Sequence, residues 1–398
     1  MEQLKYNVIN GNYYISIPTR LLSDNVKGFI TELNDFLQEK KIRRFFFDAL
    51  ETKYISSVGL REFLRLKQRG YFFEIINVNK DGYEILQKTG FSEIFTVRRV
   101  LREISTEGLE LMARGSTANV YRLDEDKIVK VFPQGYTFDE VRMEIDKTKR
   151  AFVSGIDVPI SYDMVKVKDS YGIVYEMIDA VTLAKELNDH LENEDEYVRQ
   201  YTDLMKYINK IEIGKDVFTN VKSDYLSKLK NLEGKNSTSR DVTEKMYKLI
   251  EAAPDEDFFI HDDYNPKNIL YKDGELILID FGRSSYGHPV FEFMGFGAFY
   301  ILAGVMDDDY TIKSVGMKKD QIIRTWEKFL RLYFPDADEE RLEKIENVCL
   351  CYSSIRAWIM ASLLPVKCEP ALRFCAENFM KYYEAGGKDT EILNCITE

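Results

Sequence analysis

Apolar and polar residues alternate along the first hundred positions in a way that predicts several short strands and helices. Between Asn25 and Lys40, apolar residues recur at helical spacing, which is typical of a helix with one buried face. The other predicted elements are, in chain order, a strand at Tyr13–Ile17, a strand at Arg44–Asp48, a helix at Val58–Leu66, a strand at Tyr71–Val78 and a helix from Gly82 to Leu86. This alternation predicts an α/β sheet with helices on its faces.

The pattern changes after residue 105. A small glycine-bearing turn within Ala113–Tyr121 lies between strand-like runs, and Ile128–Phe132 is a further apolar run. Asp139–Phe152 carries apolar residues on one helical face, which predicts a helix. Residues 185–255 and 310–390 are mostly helical in pattern, acidic and aromatic. The second part of the chain therefore combines a strand-rich beginning with a long helical remainder.

Charge divides the chain at about Ser105. Residues 1–105 carry 17 basic and 13 acidic side chains, a net charge of +4, whereas residues 106–398 carry 38 and 54, a net charge of −16. Such asymmetry indicates two modules, 1–105 and 106–398. The total of −12 over 398 residues argues against nucleic acid or an anionic membrane as the main partner.

The composition is that of a globular protein. Hydrophobic residues make up 45% and charged residues 31%, with 25 Tyr and 25 Phe, which is enough to bury full cores. No apolar run approaches the ~20 residues of a membrane span. The first residues, MEQLKYNVINGNYY, lack the basic and apolar regions of a signal peptide. We therefore expect a cytoplasmic protein without a membrane partner.

Cysteine and histidine do not form the pattern of a metal centre. The five Cys all fall in the last fifty residues without a C-x-x-C pair, and the chain has three His. These numbers argue against a disulfide framework, a zinc site and a His-rich metal centre. Cys349 and Cys351 are close enough in sequence to chelate a metal, but we interpret them as helix residues that pack as small hydrophobes.

The segment ISSVGL at residues 55–60 predicts a turn that enters a helix. Ser56 or Ser57 can cap that helix, whose N-terminus would also tolerate a phosphate. With FFFDALETKYI leading into it and REFLRLKQRG, EIINV and KTGFSEIF after it, the segment makes residues 1 to about 100 resemble the STAS domains of anti-sigma-factor antagonists. The resemblance puts Ser57 at the family's phosphorylatable serine, although Ser56 replaces the family's Asp and Val58 its second Ser. It implies a regulatory module that binds a protein partner; a simple helix cap is the alternative.

A glycine-bearing turn and a lysine mark a candidate phosphate site in the second module. ARGSTANVY at residues 113–121 can lay backbone N–H groups over phosphates, because Gly and Ser let the main chain approach closely. Lys130 lies within the apolar run Ile128–Phe132, where a charge is costly without a partner. Glu144 on the next predicted helix is the favoured partner and Glu140, one turn earlier, the competing one. A solvent-facing Lys130 is the alternative.

Two ordered motifs carry the strongest chemical signal. HDDYNPKN occupies residues 261–268, and DFG follows at residues 280–282. They supply a carboxylate at Asp263, an amide at Asn268 and a second carboxylate at Asp280. Phosphoryl transfer uses these groups, since a carboxylate orients the attacking hydroxyl and accepts its proton, while hard oxygen ligands hold Mg²⁺ on the phosphates.

These motifs make the chain from about Gly108 onwards resemble the aminoglycoside phosphotransferase and choline kinase group of the protein-kinase-like fold. The resemblance implies an α+β bilobal domain that binds ATP and Mg²⁺, with a β-rich N-lobe at about 106–178 and a helical C-lobe at about 179–398. By position it implies a phosphate loop at Gly115, Ser116 and Thr117, an adenine neighbour at Val120, a phosphate lysine with its partner at Lys130 and Glu144, a hinge at Glu176, Met177 and Ile178, a catalytic base at Asp263, Mg²⁺ ligands at Asn268 and Asp280, and a brace at His261.

The chain also departs from the group's pattern. Asp262, Asn265 and Lys267 stand where the aminoglycoside group usually has Gly, His and Gly. After DFG the chain runs RSSYGHPVFEFMGF, without the long activation segment with which protein kinases hold an extended peptide. We therefore expect an ATP- and Mg²⁺-dependent phosphotransferase that acts on a hydroxyl of a small molecule. The surplus of acidic residues favours a cationic acceptor.

Two other functions stay open at the level of sequence. One is a Ser/Thr protein kinase that acts on a STAS-domain serine, its own Ser57 included. The other is a non-catalytic nucleotide-binding protein that switches between partners. The intact phosphate lysine, base and metal ligands argue against the second.

Overall fold

The structure is a computed structural model and describes residues 4–9, 11–115, 117–364 and 368–397. The chain forms two compact units, Met1–Ile104 and Ser105–Glu398. The division falls where the charge balance of the sequence changes sign. No helix within the described ranges combines the length and the apolar composition that crossing a bilayer requires.

The first unit is an α/β layer built on a five-stranded sheet. The strands within the first unit, not all of which belong to this sheet, are β1 (Tyr6–Ile9), β2 (Asn12–Ser16), β3 (Arg20–Leu21), β4 (Arg44–Asp48), β5 (Tyr54–Ile55), β6 (Phe72–Val78), β7 (Thr96–Arg99) and β8 (Arg102–Glu103). Its helices are α1 (Val26–Glu39), α2 (Ser57–Gln68), α3 (Lys80–Lys88) and α4 (Phe91–Ile94). The sheet order is β1-β2-β4-β6-β7, and only the β1–β2 pair is antiparallel within it. The predicted α/β fold is confirmed.

Aromatic residues form the core of the first unit. Strand β4 alternates so that Phe45 and Phe47 are buried, whereas Arg44 is exposed and Phe46 and Asp48 are half-buried. The Phe47 ring stacks on Phe63 of α2 at a centroid distance of 4.4 Å, and Phe45 stacks on Phe73 of β6 at 5.5 Å. Because side chains of a strand alternate between its faces, the run of three Phe in β4 places two rings in the core.

The start of α2 decides which serine caps the helix. Ser56 is the N-cap residue, and its side chain accepts a hydrogen bond from the Gly59 backbone N–H at 3.2 Å. Ser57 is the first residue of the helix and is exposed. The two serines therefore differ in their surroundings, since Ser56 is buried as the cap while Ser57 is exposed.

The second unit begins with an antiparallel sheet. Its strands are β9 (Leu111–Arg114), β10 (Asn119–Arg122), β11 (Lys127–Val131), β12 (Ser161–Val167) and β13 (Ser170–Glu176), and they pair in the order β12-β13-β11-β10-β9. Helix α5 (Phe138–Val153) follows β11 and precedes β12 in the chain. Thr137 and Glu140 form a capping box at its N-terminus, which satisfies the first backbone N–H groups of the helix.

The remainder of the second unit is helical. Its helices are α6 (Leu183–Asp189), α7 (Glu194–Ile208), α8 (Val221–Leu232), α9 (Arg240–Ala252), α10 (Val290–Leu302), α11 (Asp308–Val315), α12 (Lys319–Tyr333), α13 (Glu339–Ser362), α14 (Glu369–Tyr382) and α15 (Asn394–Thr397). Short strands form two three-stranded sheets among them: β14 (Val181–Thr182), β15 (Thr219–Asn220), β16 (Phe258–Ile260), β17 (Ile269–Lys272), β18 (Glu275–Leu278) and β19 (Ser285–Gly287). The predicted α+β kinase-like architecture is confirmed.

Helix α13 is buried along most of its length and packs against α10. Gly297 of α10 allows this approach, because a Cβ at that position would lie 2.2 Å from the Ser353 hydroxyl of α13. Cys349 and Cys351 are buried helix residues of α13, as predicted, and all five cysteines are free. The close packing of α10 and α13 brings side chains from the C-terminal part of the chain beside the residues 261–268.

Candidate active site

Lys130 on β11 lies between two carboxylates. Its Nζ atom is 2.7 Å from Glu144 Oε1 on α5 and 2.9 Å from Asp280 Oδ1, while only 12% of the side chain is exposed. Burial lowers the pKa of Lys130, but the charges of Glu144 and Asp280 outweigh that effect and raise the pKa above its usual value. Glu140, the competing partner, is instead occupied by the Thr137 cap.

Two further side chains support this ion pair, and neither was singled out in the sequence. The Tyr175 hydroxyl on β13 donates to Glu144 Oε1 at 3.2 Å. Lys147, one turn after Glu144 on α5, is buried and donates to the Gly282 carbonyl oxygen at 3.0 Å. Helix α5 is therefore linked to the DFG segment in two ways. Glu144 is connected to Asp280 through Lys130, and Lys147 binds the Gly282 carbonyl oxygen directly.

Asp280 adopts a left-handed backbone conformation, with φ of 69° and ψ of 69°. Asp tolerates this conformation better than most residues, and the turn directs the carboxylate toward Lys130. Burial raises the pKa of Asp280, but the charge of Lys130 outweighs burial and lowers it below its usual value. His261 Nε2 donates to the Ile279 carbonyl oxygen at 3.0 Å, and because burial lowers the pKa of His261, the ring acts as a neutral donor.

Asp263 and Asn268 lie on one loop after β16 and contact each other. Asn268 Nδ2 donates to Asp263 Oδ2 at 2.8 Å and to the Asp263 backbone carbonyl at 3.0 Å. These bonds orient the amide, so that Asn268 Oδ1 points away from Asp263. The Ile279 backbone N–H donates to the Asn268 carbonyl at 3.0 Å, which joins this loop to the strand end that carries Asp280.

The backbone of the same loop is held by a buried carboxylate on α10. Glu292 Oε2 accepts from the His261 backbone N–H at 2.6 Å, and its Oε1 accepts from the Asp262 N–H at 3.1 Å. Burial raises the pKa of Glu292 to about 8. The sequence shows Glu292 only as part of the GHPVFE run, and nothing in that run indicates which backbone groups it binds.

The three departures from the aminoglycoside pattern have structural roles. Asp262 has a φ of 56°, which is a conformation that favours Gly. Asn265 Nδ2 donates to the Asp263 carbonyl at 2.9 Å and so tightens the loop. Lys267 Nζ donates to the Lys313 carbonyl at 2.6 Å, which fastens the loop to α11.

The glycine-bearing turn joins β9 and β10. Gly115 N–H donates to the Ala118 carbonyl at 2.8 Å, and a Cβ on Gly115 would lie 2.9 Å from that oxygen. Only glycine therefore fits the turn without a shift. Thr117 is exposed on it, and Val120 lies opposite Lys130 in the β10–β11 register. Ser116, the third predicted residue of the loop, lies outside the described residues.

Two backbone N–H groups at the end of β13 are hydrogen-bonded within the protein. The Glu176 N–H donates to the Ile160 carbonyl at 2.9 Å, and the Met177 N–H donates to the Asp126 carbonyl at 2.8 Å. Contacts from this segment to an adenine ring would therefore depend on the Ile178 amide and on carbonyl oxygens, and not on these two N–H groups.

The sequence patterns of two known families match the two units. The pattern of the phosphotransferase enzyme family matches residues 109–313, which span the turn, Lys130, the loop and DFG. The chain belongs to the phosphotransferase enzyme family. The STAS domain pattern matches residues 3–104, so the phosphotransferase carries a STAS domain before its kinase-like unit. No curated protein sequence matches the chain.

Solved structures with a similar fold include kinases of small molecules. An ADP-bound aminoglycoside phosphotransferase APH(2'')-Ib is 16% identical, with a TM-score of 0.46, over 78% of this chain and 98% of that one. A choline/ethanolamine kinase family protein from Mesorhizobium loti is 13% identical, with a TM-score of 0.46, over 72% and 92%. Amicoumacin kinase hAmiN, in complex with AMP-PNP, Ca²⁺ and Ami, is 15% identical, with a TM-score of 0.45, over 77% and 97%. Likeness at this level carries no information about the acceptor of this phosphotransferase.

The donor atoms of the phosphotransferase site fit a divalent cation that is shared with a nucleotide. Asn268 Oδ1 is turned away from the loop, and Asp280 keeps one carboxylate oxygen beyond the one that accepts from Lys130. Within the described residues, no three His, Cys, Asp or Glu side chains cluster as a metal site. Mg²⁺ is usually bound through one or two protein oxygens together with phosphate oxygens, which matches a set of one amide and one carboxylate.

Replacing Glu292 with Leu tests how much the loop at residues 261–268 depends on this side chain. The variant leaves two buried backbone N–H groups, those of His261 and Asp262, without their acceptor. Each such loss costs ~1–3 kcal/mol, so we expect the unfolding free energy of the second unit to fall by about 2–5 kcal/mol. Urea unfolding followed by tryptophan fluorescence measures this, since Trp326 and Trp358 are the only tryptophans in the chain.

Glu327→Leu is the matched control, because Glu327 is exposed in the middle of α12. We expect it to change stability by about 0.5 kcal/mol or less. If Glu292→Leu were as stable as this control, the loop would not depend on Glu292.

Proposed function

We propose that the second unit transfers the γ-phosphate of ATP to a hydroxyl group of a small molecule. The observation that carries this proposal is the convergence of three separate segments. Lys130 on β11, Glu144 on α5 and Asp280 after β18 form one ion-pair network, and the loop with Asp263 and Asn268 is hydrogen-bonded to the strand end beside Asp280. Phosphoryl transfer depends mainly on such positioning and on electrostatic stabilisation.

Each residue of the site would have a role that follows from the chemistry of its side chain. The Lys130 ammonium would bind phosphate oxygens, and Glu144 with Tyr175 would hold it in place. Asp263 would orient the acceptor hydroxyl and take its proton as the bond from the hydroxyl oxygen to the γ-phosphorus forms and the bond to ADP breaks. Asn268 and Asp280 would hold Mg²⁺, whose charge offsets that of the phosphates. The turn of Gly115 and Thr117 would cover the phosphates.

The length of chain after DFG supports a small acceptor. The short helical turn Phe281–Arg283 leads directly into β19 and then into α10 at Val290. This stretch is too short for an extended platform of the kind that binds a peptide, so a Ser/Thr protein kinase is less well supported. Catalysis is better supported than a purely binding role, because Lys130 contacts both Glu144 and Asp280 and the second motif carboxylate, Asp263, is also present.

Local charge gives no preference for a cationic acceptor. Arg356 and Arg283 lie beside Asp262 and Asp263 and balance their charge. The net charge of −16 over residues 106–398 is the argument that supports a cation, and it acts only at long range.

The first experiment measures ATP turnover with Mg²⁺ against a panel of hydroxyl acceptors. The panel contains aminoglycosides, choline-type alcohols and uncharged sugar alcohols, and mass spectrometry of the protein records autophosphorylation in parallel. Turnover that rises with one acceptor class supports the proposal and identifies the class. Phosphate that appears only on the protein would support the protein kinase alternative.

Asp263→Asn should remove most phosphoryl transfer and leave ATP binding intact. The amide keeps the size of the side chain but cannot accept a proton, and loss of a general base costs about 10²–10⁴-fold in rate. Steady-state turnover and calorimetric ATP titration measure the two effects. Asp336→Asn, at an exposed position, is the matched control and should behave as wild type. Turnover of Asp263→Asn within a few-fold of wild type would remove Asp263 from its assigned role.

Asp280→Ala should abolish the strengthening of ATP binding by Mg²⁺, and Asn268→Ala should weaken it. Each substitution removes one of the two oxygen donors proposed for the cation. Titrations of ATP with and without Mg²⁺ compare the variants with wild type. An equal Mg²⁺ effect in wild type and Asp280→Ala would contradict the metal role.

We further propose that the STAS domain regulates the phosphotransferase through a protein partner and through Ser57. Ser57 is exposed as the first residue of the twelve-residue helix α2, where a phosphate would meet backbone N–H groups and the positive end of the helix dipole. A phosphate adds about −1.5 to −2 charges to a unit whose net charge is +4.

Ser57→Asp should therefore change the ATP turnover of the full chain, whereas Ser57→Ala should lose any response to phosphorylation. Ser23→Asp introduces the same charge at another exposed position of the first unit and serves as control. Turnover rates of the three variants and wild type are compared in one assay. If the turnover rates of Ser57→Asp and Ser57→Ala both equal that of wild type, Ser57 has no regulatory role and is only the first residue of helix α2.

A further inference from the structure

Arg356 links the C-terminal helices to the catalytic loop. It lies on α13, outside the residues 109–313 that match the family, and none of the sequence motifs includes it. Its side chain is only 4% exposed, so the guanidinium must be satisfied within the protein. Among the described residues its Nε has no hydrogen-bond partner, and the two terminal nitrogens therefore fix its position.

These two nitrogens reach two successive carboxylates. Arg356 Nη1 lies 2.6 Å from Asp262 Oδ1 and 3.0 Å from the Tyr225 hydroxyl. Arg356 Nη2 lies 3.1 Å from Asp263 Oδ1. Because the guanidinium is planar and rigid, anchoring Nη1 on Asp262 also determines where Nη2 meets Asp263.

Asp262 has the contacts of an anchor. It is buried, and its Oδ1 also accepts from the Tyr225 hydroxyl at 3.0 Å, while its Oδ2 accepts from Arg283 at 3.1 Å. Its backbone has a φ of 56°, where Gly would fit with less strain. A carboxylate at this position is therefore explained by its side-chain partners and not by the backbone, and Arg356 is the partner that continues to Asp263.

Asp263 is consequently held on both of its oxygens. Asn268 donates to Oδ2 at 2.8 Å, and Arg356 donates to Oδ1 at 3.1 Å. Two donors on opposite oxygens restrict rotation of the carboxylate about its last bond. A reacting group must stay within about 0.5 Å of its productive position, so this restriction bears directly on transfer.

We propose that Arg356 is a positioning residue, which holds the Asp263 carboxylate in the orientation that phosphoryl transfer requires. The proposal rests on the function proposed above. The alternative is that Arg356 only neutralises Asp262. The two interpretations differ in whether the contact between Nη2 and Asp263 matters.

The test uses Arg356→Lys and the double variant Asp262→Gly/Arg356→Met in the full chain. Lys keeps the charge beside Asp262 but cannot bridge two carboxylates. The double variant removes anion and cation together, which buried pairs often tolerate, and Gly suits the backbone at position 262. Arg283, the other partner of Asp262, is 48% exposed and can be hydrated.

For both variants we expect kcat to fall by about 10–100-fold, as a misplacement of about 1 Å can cost 10²-fold, with KM for ATP within about two-fold. Arg240→Lys is the control, because Arg240 lies at the start of α9 with 83% of its side chain exposed, and it should keep kcat within about two-fold. A kcat within two-fold of wild type in both test variants would overturn the proposal. If the double variant does not fold, Arg356→Lys decides alone.

Crystal structures of wild type and Arg356→Lys separate this proposal from the proposed function. Positioning predicts that the Asp263 carboxylate moves by more than about 0.5 Å or occupies several orientations in the variant. An Asp263 side chain that is unchanged in the variant would overturn the proposal, whether or not wild type turns over ATP. Absence of turnover in wild type with every acceptor would overturn the proposed function and leave this structural result valid.

Discussion

The buried ammonium group of Lys130 is the interaction on which the kinase-like unit depends. A lysine in the middle of a short, partly buried strand is costly unless its charge is matched, and here Glu144 and Asp280 both match it. The pairing fixes three elements relative to one another: β11, α5 and the segment after β18. Lys147 adds a second bond from α5 to the DFG segment. The position of the Lys130 side chain is therefore fixed by charges that cannot separate without leaving a buried ion unpaired.

The loop at residues 261–268 is held in a different way, because buried side chains bind its backbone and its carboxylates. Glu292 accepts two successive backbone N–H groups, and Arg356 binds two successive carboxylates. Asp262 and Asp280 both have left-handed backbone conformations, and their side chains contact Arg356 and Lys130, respectively. Residues with positive φ persist where surrounding contacts over-determine them, and both of these positions meet that condition. The loop is thus shaped by α10 and α13, which follow it in the chain.

The STAS domain combines an aromatic core with a pair of serines at the start of one helix. Its core is a stack of Phe rings between a sheet and helices, and two neighbouring serines stand at the start of α2. Ser56 caps the helix, whereas Ser57 is exposed. The cap of α2 therefore does not depend on the Ser57 side chain.

The sequence by itself determined the class of both units, most of their strands and helices, and the residues proposed for the site, because these depend on local periodicity and on short motifs. It also indicated the pairing of Lys130 with Glu144, since a buried lysine needs a partner on a nearby element. It did not indicate Tyr175, Lys147, Glu292 or Arg356, nor the internal use of the Glu176 and Met177 amides. Arg356 and Asp262 are 94 residues apart, and no spacing rule relates them. Their contact exists only because α13 packs on α10 beside the loop, and that packing was decided by the shapes of buried surfaces in the tertiary structure.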